Sequence, residues 1–198
     1  MNITDRAKNI ILRPTTEWAI IDSENITLQK LITSYLLPLS LIGAIASLIG
    51  FSVIGYSVFG VHEGSISWGV IRAMQFIVHA ILVCIIATYI IDALAPTFKS
   101  EKNLTKSAEL VIYSYTPGLL GAVFSIFPSI SILGTLCTLY GIYLVFVGLH
   151  TIKKTPDDQR IGYIVVTVLI LIAVYVIIGV VISSIIGSIW GLENYRGY

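Results

Sequence analysis

Charge is scarce in this sequence, and the gaps in it are long. Asp, Glu, Lys and Arg make up 12% of the 198 residues, and none occurs between positions 31 and 61 or between 110 and 152. A chain with 56% hydrophobic residues and a mean hydropathy of +0.91 would be insoluble as a water-exposed domain, whereas these values are ordinary for a multi-span membrane protein. The net charge of +1 offers no bulk attraction to nucleic acid, so no nucleic-acid partner is expected. Cysteine is nearly absent too. Cys84 and Cys137 each lie inside an apolar run, where a lone thiol acts as a small apolar filler, so neither a disulfide nor a metal site is expected. The three histidines, His62, His79 and His150, are far apart, and no G-x-S-x-G, G-x-G-x-x-G, His-Glu-x-x-His or phosphate loop is present. The chain is therefore expected to be no enzyme and to hold no cofactor. Asp5, Arg6, Lys8 and Arg13 break up any early apolar core, which predicts insertion through an internal span without a cleaved leader.

What the sequence has in quantity is uncharged apolar length. Residues 110–150 are twice what one crossing needs, since a helix rises about 1.5 Å per residue and the hydrocarbon layer is about 30 Å thick. The segment must turn back on itself, and Phe127-Pro128-Ser129-Ile130-Ser131 is the candidate turn because Pro128 cannot continue the preceding helix. Further spans are read at 28–59, with a kink at Pro38, at 68–94, and at 163–190. The fold class is all-α, a polytopic membrane protein of five transmembrane helices with an amino-terminal interfacial amphipathic helix. That divides the chain into 1–27, a cytoplasmic amphipathic segment; 28–190, the membrane domain; and 191–198, a short extracytoplasmic tail. In the first of these, Ile3, Ala7, Ile10, Ile11, Pro14, Trp18 and Ile21 recur at helical steps, with a break expected at Pro14 and Trp18 suited to the headgroup zone.

Placement of the few charges predicts orientation. Arg6, Lys8, Arg13 and Lys30, then Lys99, Lys102 and Lys106, then Lys153, Lys154 and Arg160 fall on one side of five crossings, and only Arg72 and Arg196 on the other. By the positive-inside rule the amino terminus is cytoplasmic and the carboxyl terminus extracytoplasmic, in the bacterial cytoplasmic membrane. Polar residues at membrane depth are the candidate functional groups. Asp92 ends the second span, where a helix dipole disfavours a carboxylate, so it needs a partner from a tyrosine hydroxyl or a loop lysine. With Pro96, Tyr113, Tyr115 and Pro117 it forms the primary candidate cluster. Arg72, Gln75 and His79 share one helix face and form a secondary stripe. Glu109 is read as an ordinary first-turn carboxylate of span three. Pro117 strips the Tyr113 carbonyl of its amide partner, and Ser114 or Thr116 is expected to replace it. Gly134, Gly141 and Gly148 form a packing seam. Gly179, Ser183, Gly187 and Gly191 form a small-residue ladder that predicts a membrane-protein partner or a homo-oligomer.

Four motifs taken in order resemble one family. Pro14-x-x-Glu17-Trp18-x-x-Ile21, Asp92-x-x-x-Pro96, Tyr113-Ser-Tyr-Thr-Pro117, and Tyr140-x-x-Tyr143-Leu followed by Gly148-Leu149 look like the Yip (Ypt/Rab-interacting protein) domain in its compact bacterial form. The resemblance covers nearly the whole chain and implies five membrane helices with a cytoplasmic amino terminus. Eukaryotic relatives are implicated in vesicle trafficking through prenylated small GTPases. This chain lacks their long amino-terminal region, so a small GTPase is not an expected partner. The expected function is a non-catalytic organiser of membrane proteins or lipids in the bilayer. The alternative is a small transporter, channel or lipid-moving protein using polar groups between helices two, three and four.

Overall fold

In the computed structural model the backbone is described for residues 2–58 and 61–195, and side chains there except at 56–58, 61–63, 128, 186, 187 and 189–195. Five helical segments are long and apolar enough to cross a membrane: span one Leu28–Ile54, span two Ile66–Phe98, span three Leu104–Ile126, span four Ile132–Ile152 and span five Asp157–Ile185. The helix that carries span five runs on to Tyr195, into the stretch expected as a tail, and Arg196 lies outside the described residues.

Ahead of the spans come α1 (Ile3–Leu12) and α2 (Pro14–Ser23), parted at Arg13, whose non-helical backbone (φ −141°, ψ 57°) reflects the proline that follows it. The break falls where the sequence placed it. Trp18, expected to suit the headgroup zone, turns inward onto the protein: it is 0% exposed, packed on Gly148 of span four and edge-on to Tyr113 at 6.3 Å. The apolar face of α2 finds enough of the protein's own surface to bury, at roughly 1.5–3 kcal/mol per large side chain, and lies along span four.

Span one is shorter than its uncharged stretch. Gly55 takes a positive φ of 70° and ends the helix, and the chain then folds into a small antiparallel hairpin, β1 (Tyr56–Val58) on β2 (Val61–Glu63). A wide π-helical turn at Ile32–Leu36 precedes Pro38, which offers no amide to the carbonyl four residues back. Span two starts at Ser65, whose hydroxyl accepts from the Trp68 amide, and ends in a 3-10 turn, Ala95–Phe98, opened by Pro96.

Span three begins earlier than the sequence suggested. Asn103 caps it by accepting from the Lys106 amide, so Glu109 lies beyond the first turn and is fully buried rather than an exposed dipole partner. The helix breaks at Tyr115, and the Thr116 hydroxyl donates to the Tyr113 carbonyl at 2.7 Å, replacing the amide that Pro117 lacks. After the 3-10 turns Ala122–Ile126 and Pro128–Ile130, the chain reverses into span four. Spans three and four touch through glycine: a Cβ at Gly141 would sit 2.6 Å from the Ser114 carbonyl and one at Gly134 2.8 Å from that of Gly121.

Candidate functional site

The charged end of the bundle holds two buried polar clusters and a clasp joining them. The first cluster is built on Lys153, just past span four and 0% exposed. Its ammonium donates to Ser107 Oγ at 2.8 Å, to Asp92 Oδ1 at 3.3 Å and to the Asn103 carbonyl at 3.3 Å. Ser107 also donates to Asp92 at 3.1 Å. An ammonium has three N–H donors, and here all three have acceptors. Burial holds the Lys153 ammonium below its usual basicity, against the pull of Asp92. Around it, the Glu101 amide donates to the Lys153 carbonyl, Ser100 and Thr155 share a 2.8 Å hydrogen bond, and Tyr163, stacked on Phe98 at 4.7 Å, donates to the Ile91 carbonyl. Spans two, three, four and five are thereby tied at one level.

The second cluster is built on Arg6 of α1, only 4% exposed. Its guanidinium donates to Glu17 at 2.6 Å and to Glu24, and lies over the Tyr113 ring at 5.4 Å. Tyr113 stands edge-on to Tyr35 at 4.7 Å, and Tyr35 shares a 2.8 Å hydrogen bond with Thr116. Between the clusters, Asp22 takes Lys154 and Lys106, and Lys106 also lies 3.1 Å from Glu109. Partial burial alone would raise the Asp22 carboxyl, but the Lys154 and Lys106 ammoniums outweigh it and hold it below the usual carboxylate range.

The five primary candidates therefore separate. Asp92 belongs to the Lys153 cluster, where its lysine comes from the fourth loop and not from Lys99, Lys102 or Lys106; Pro96 shapes the turn beside it. Tyr113 belongs to the Arg6 cluster, and Pro117 creates the break that turns Thr116 toward Tyr35. Tyr115 packs into the apolar core beside Gly118. Among the described residues no hydrogen bond joins Asp92 to a tyrosine. The secondary stripe lies elsewhere: Arg72 donates to Gln75 at 3.2 Å and stacks over Phe51 and Trp68 at the opposite end, while His79 stands edge-on to Tyr175 at 4.6 Å. Asp92 stands thirteen steps beyond His79 along one helix, about 20 Å.

Residues not singled out from the sequence include Lys153, Ser107, Arg6, Glu17, Glu24, Tyr35 and Asp22. Arg6 and Glu17 did carry a signal, since Arg6 stands between Ile3 and Ile10 at helical steps and Glu17 is four residues before Ile21, on the faces that are buried. Lys153 carried none beyond being one of two adjacent lysines.

The sequence motifs that opened the question of kinship now meet in space: Trp18 on Gly148, Tyr113 against Trp18 and over Arg6, and Tyr140 donating to the Ile11 carbonyl at 2.8 Å. The Yip1 domain matches residues 8–191, from α1 to the helix of span five. The chain belongs to the Yip1 domain family. No curated protein and no solved structure shows a significant match. The Yip1 domain match takes in Asp92, Lys153, Ser107, Tyr113 and Glu17, while Arg6 precedes its first matched residue.

Proposed function

We propose that this Yip1 domain protein is a non-catalytic organiser of membrane proteins or lipids. The observation that carries the reading is the Lys153 ammonium, buried with all three N–H groups already committed to Asp92, Ser107 and Asn103. A saturated lysine joins helices and has no free donor or lone pair with which to act on a substrate. Span five supports the same reading from outside. Only 11% of its most apolar window is buried within the chain, and the space beside Gly179 is open. Gly179 and Ser183 thus offer a close-packing surface to another membrane helix, a second copy of this chain included; at Gly187 and Gly191, the rest of the ladder, only the helical backbone is described. A small GTPase is not part of this reading.

Capture from native membranes should recover the same membrane protein or lipid in repeated preparations, and Gly179→Ile should abolish recovery of a helix partner. Empty captures together with ion, solute or lipid flux in proteoliposomes would overturn the proposal in favour of a transporter. The orientation proposed is amino terminus in the cytoplasm and carboxyl terminus outside, in the bacterial cytoplasmic membrane. It rests on the lysines and arginines gathered at the end that holds both clusters. Tags at the two ends should be reached from opposite sides; reactivity from one side alone would sink it.

A further inference from the structure

The amino-terminal helices stand along the bundle, and contacts at three heights fix how far they reach. Asp22 at the end of α2 pairs with Lys154, just past span four; Trp18 packs on Gly148, six residues back; and the Ile11 carbonyl of α1 accepts from the Tyr140 hydroxyl. On its other side α1 follows span one, with Ile11 and Leu12 facing Pro38, Leu39 and Ile42 across a groove. The pair is therefore a hairpin with its tip, Arg13 and Pro14, at the height of Tyr140 and Ile42. Tyr140 is thirteen steps from Lys153 and Ile42 fourteen from Leu28, so the tip stands about 20 Å from the charged end of the bundle.

A hydrocarbon layer is about 30 Å thick, so that height lies beyond its middle if the layer begins where the spans begin. The outward side of the hairpin tip is nevertheless polar. Arg13, Thr15 and Thr16 are exposed there, and the Arg13 side chain makes no ion pair among the described residues. Tyr140 and Tyr143, of a residue type that gathers at membrane–water boundaries, are exposed at the same height. The flank formed by span five differs. It exposes apolar side chains from Ile161 to Ile185, twenty-four steps and about 36 Å, which suits a whole layer. Beyond the hairpin tip, span four has only the eight steps from Tyr140 to Ile132, about 12 Å, and then the turn that exposes Ile130 and Phe127. An arginine among acyl chains is costly, and the cost is relieved where headgroups and water are drawn to it. A short apolar band is likewise met by a thinner bilayer.

We infer that this protein thins the bilayer on one flank: over the α1–α2 face the headgroup layer descends to Arg13, Tyr140 and Tyr143, while beside span five the membrane keeps its full thickness. The surface fits a lipid headgroup layer, whose phosphate oxygens accept from the Arg13 guanidinium at the tip. The amino-terminal pair is thus interfacial because the interface comes down to it. The inference goes beyond the organiser reading and rests on the five spans alone. Its failure leaves capture of a helix partner, and so that reading, standing.

The test reads depth in phosphatidylcholine vesicles from a bimane fluorophore on a single cysteine of the full chain, with Cys84 and Cys137 replaced by Ala. Thr15→Cys reports the tip while keeping Arg13. Val176→Cys reports an exposed position on span five at about the same height, since its neighbour Tyr175 meets His79, thirteen steps from Asp92. A nitroxide on the lipid headgroup should quench the fluorophore at Thr15 more than a nitroxide at the acyl-chain end, and the order should reverse at Val176. Arg13→Leu should remove most of the headgroup quenching at Thr15, and Arg13→Lys should keep it. Dominant chain-end quenching at Thr15 would put the tip among acyl chains and overturn the inference. Dominant headgroup quenching at both positions would mean a flat bilayer in which the whole bundle rides high, and would overturn it too. So would a Thr15 signal indifferent to Arg13→Leu.

Discussion

At the scale of single residues, two buried carboxylates on neighbouring helices carry different weight. Removing Asp92 strands the Lys153 ammonium, which has no exposure to water, whereas removing Glu109 leaves Lys106 still facing Asp22. Breaking one side of a buried pair costs about 3–5 kcal/mol. Asp92→Ala should therefore lower the midpoint of thermal unfolding in detergent well below that of Glu109→Ala; equal and small shifts would contradict the Lys153 cluster. Thr116 has a comparable double duty, donating to the Tyr113 carbonyl and sharing a hydrogen bond with Tyr35. Thr116→Val keeps the shape and removes both contacts, so a loss of about 1–3 kcal/mol is expected in the same measurement. Thr116→Ser should restore most of it.

At the scale of elements, α1 and α2 are held to the bundle by a few specific fits. A side chain on Gly148 would begin 2.4 Å from Leu110 and 2.8 Å from Trp18, so Gly148→Ile must push α2 away from span four. Limited proteolysis should then cut within the first 24 residues at protease levels that spare the parent. The protein should stay in the membrane fraction, because none of the five spans is touched. Cleavage no faster than in the parent would show that Trp18 is not the main tether. Span three owes its local breaks to the same kind of fit. Pro117 and the 3-10 turn at Ala122–Ile126 cost regular hydrogen bonds, yet they bring span three close to span one: the nearest atoms at Gly50 are those of Ser125 and Ile126, and Ala122 stands beside Gly43 together with Phe76 of span two.

At the scale of the whole molecule, the Asp22 clasp links the amino-terminal helices to Lys106 in the first turn of span three and to Lys154 in the fourth loop, and makes that attachment depend on pH. The Asp22 carboxyl is held below its ordinary value when folded, so its contribution is present above about pH 4 and is lost as pH falls through the folded value. Acidification below about pH 4 should loosen α2 before the spans unfold, seen as a change in Trp18 emission in a variant with Trp68 and Trp190 replaced by Phe. High salt should weaken the clasp in the same direction, since Asp22 is only partly buried. Emission that stays constant down to the acid unfolding of the spans would rule the clasp out as the attachment.

The number of spans, the turn at Pro128, the break at Pro14 and the replacement of an amide at Pro117 were all readable in the sequence. Each depends on residues within a few positions of one another, through hydropathy summed over a bilayer's thickness or through proline's missing N–H. Arg6 and Glu17 were half readable, as charges on an apolar face without visible partners. The pairing of Asp92 with Lys153, 61 positions away, and of Trp18 with Gly148 could be decided only by the tertiary structure. Hydropathy places a helix in the bilayer without saying which helix stands beside it. That choice is made by the non-local fit of glycine seams to bulky side chains, and by the cost of leaving a buried charge unpaired.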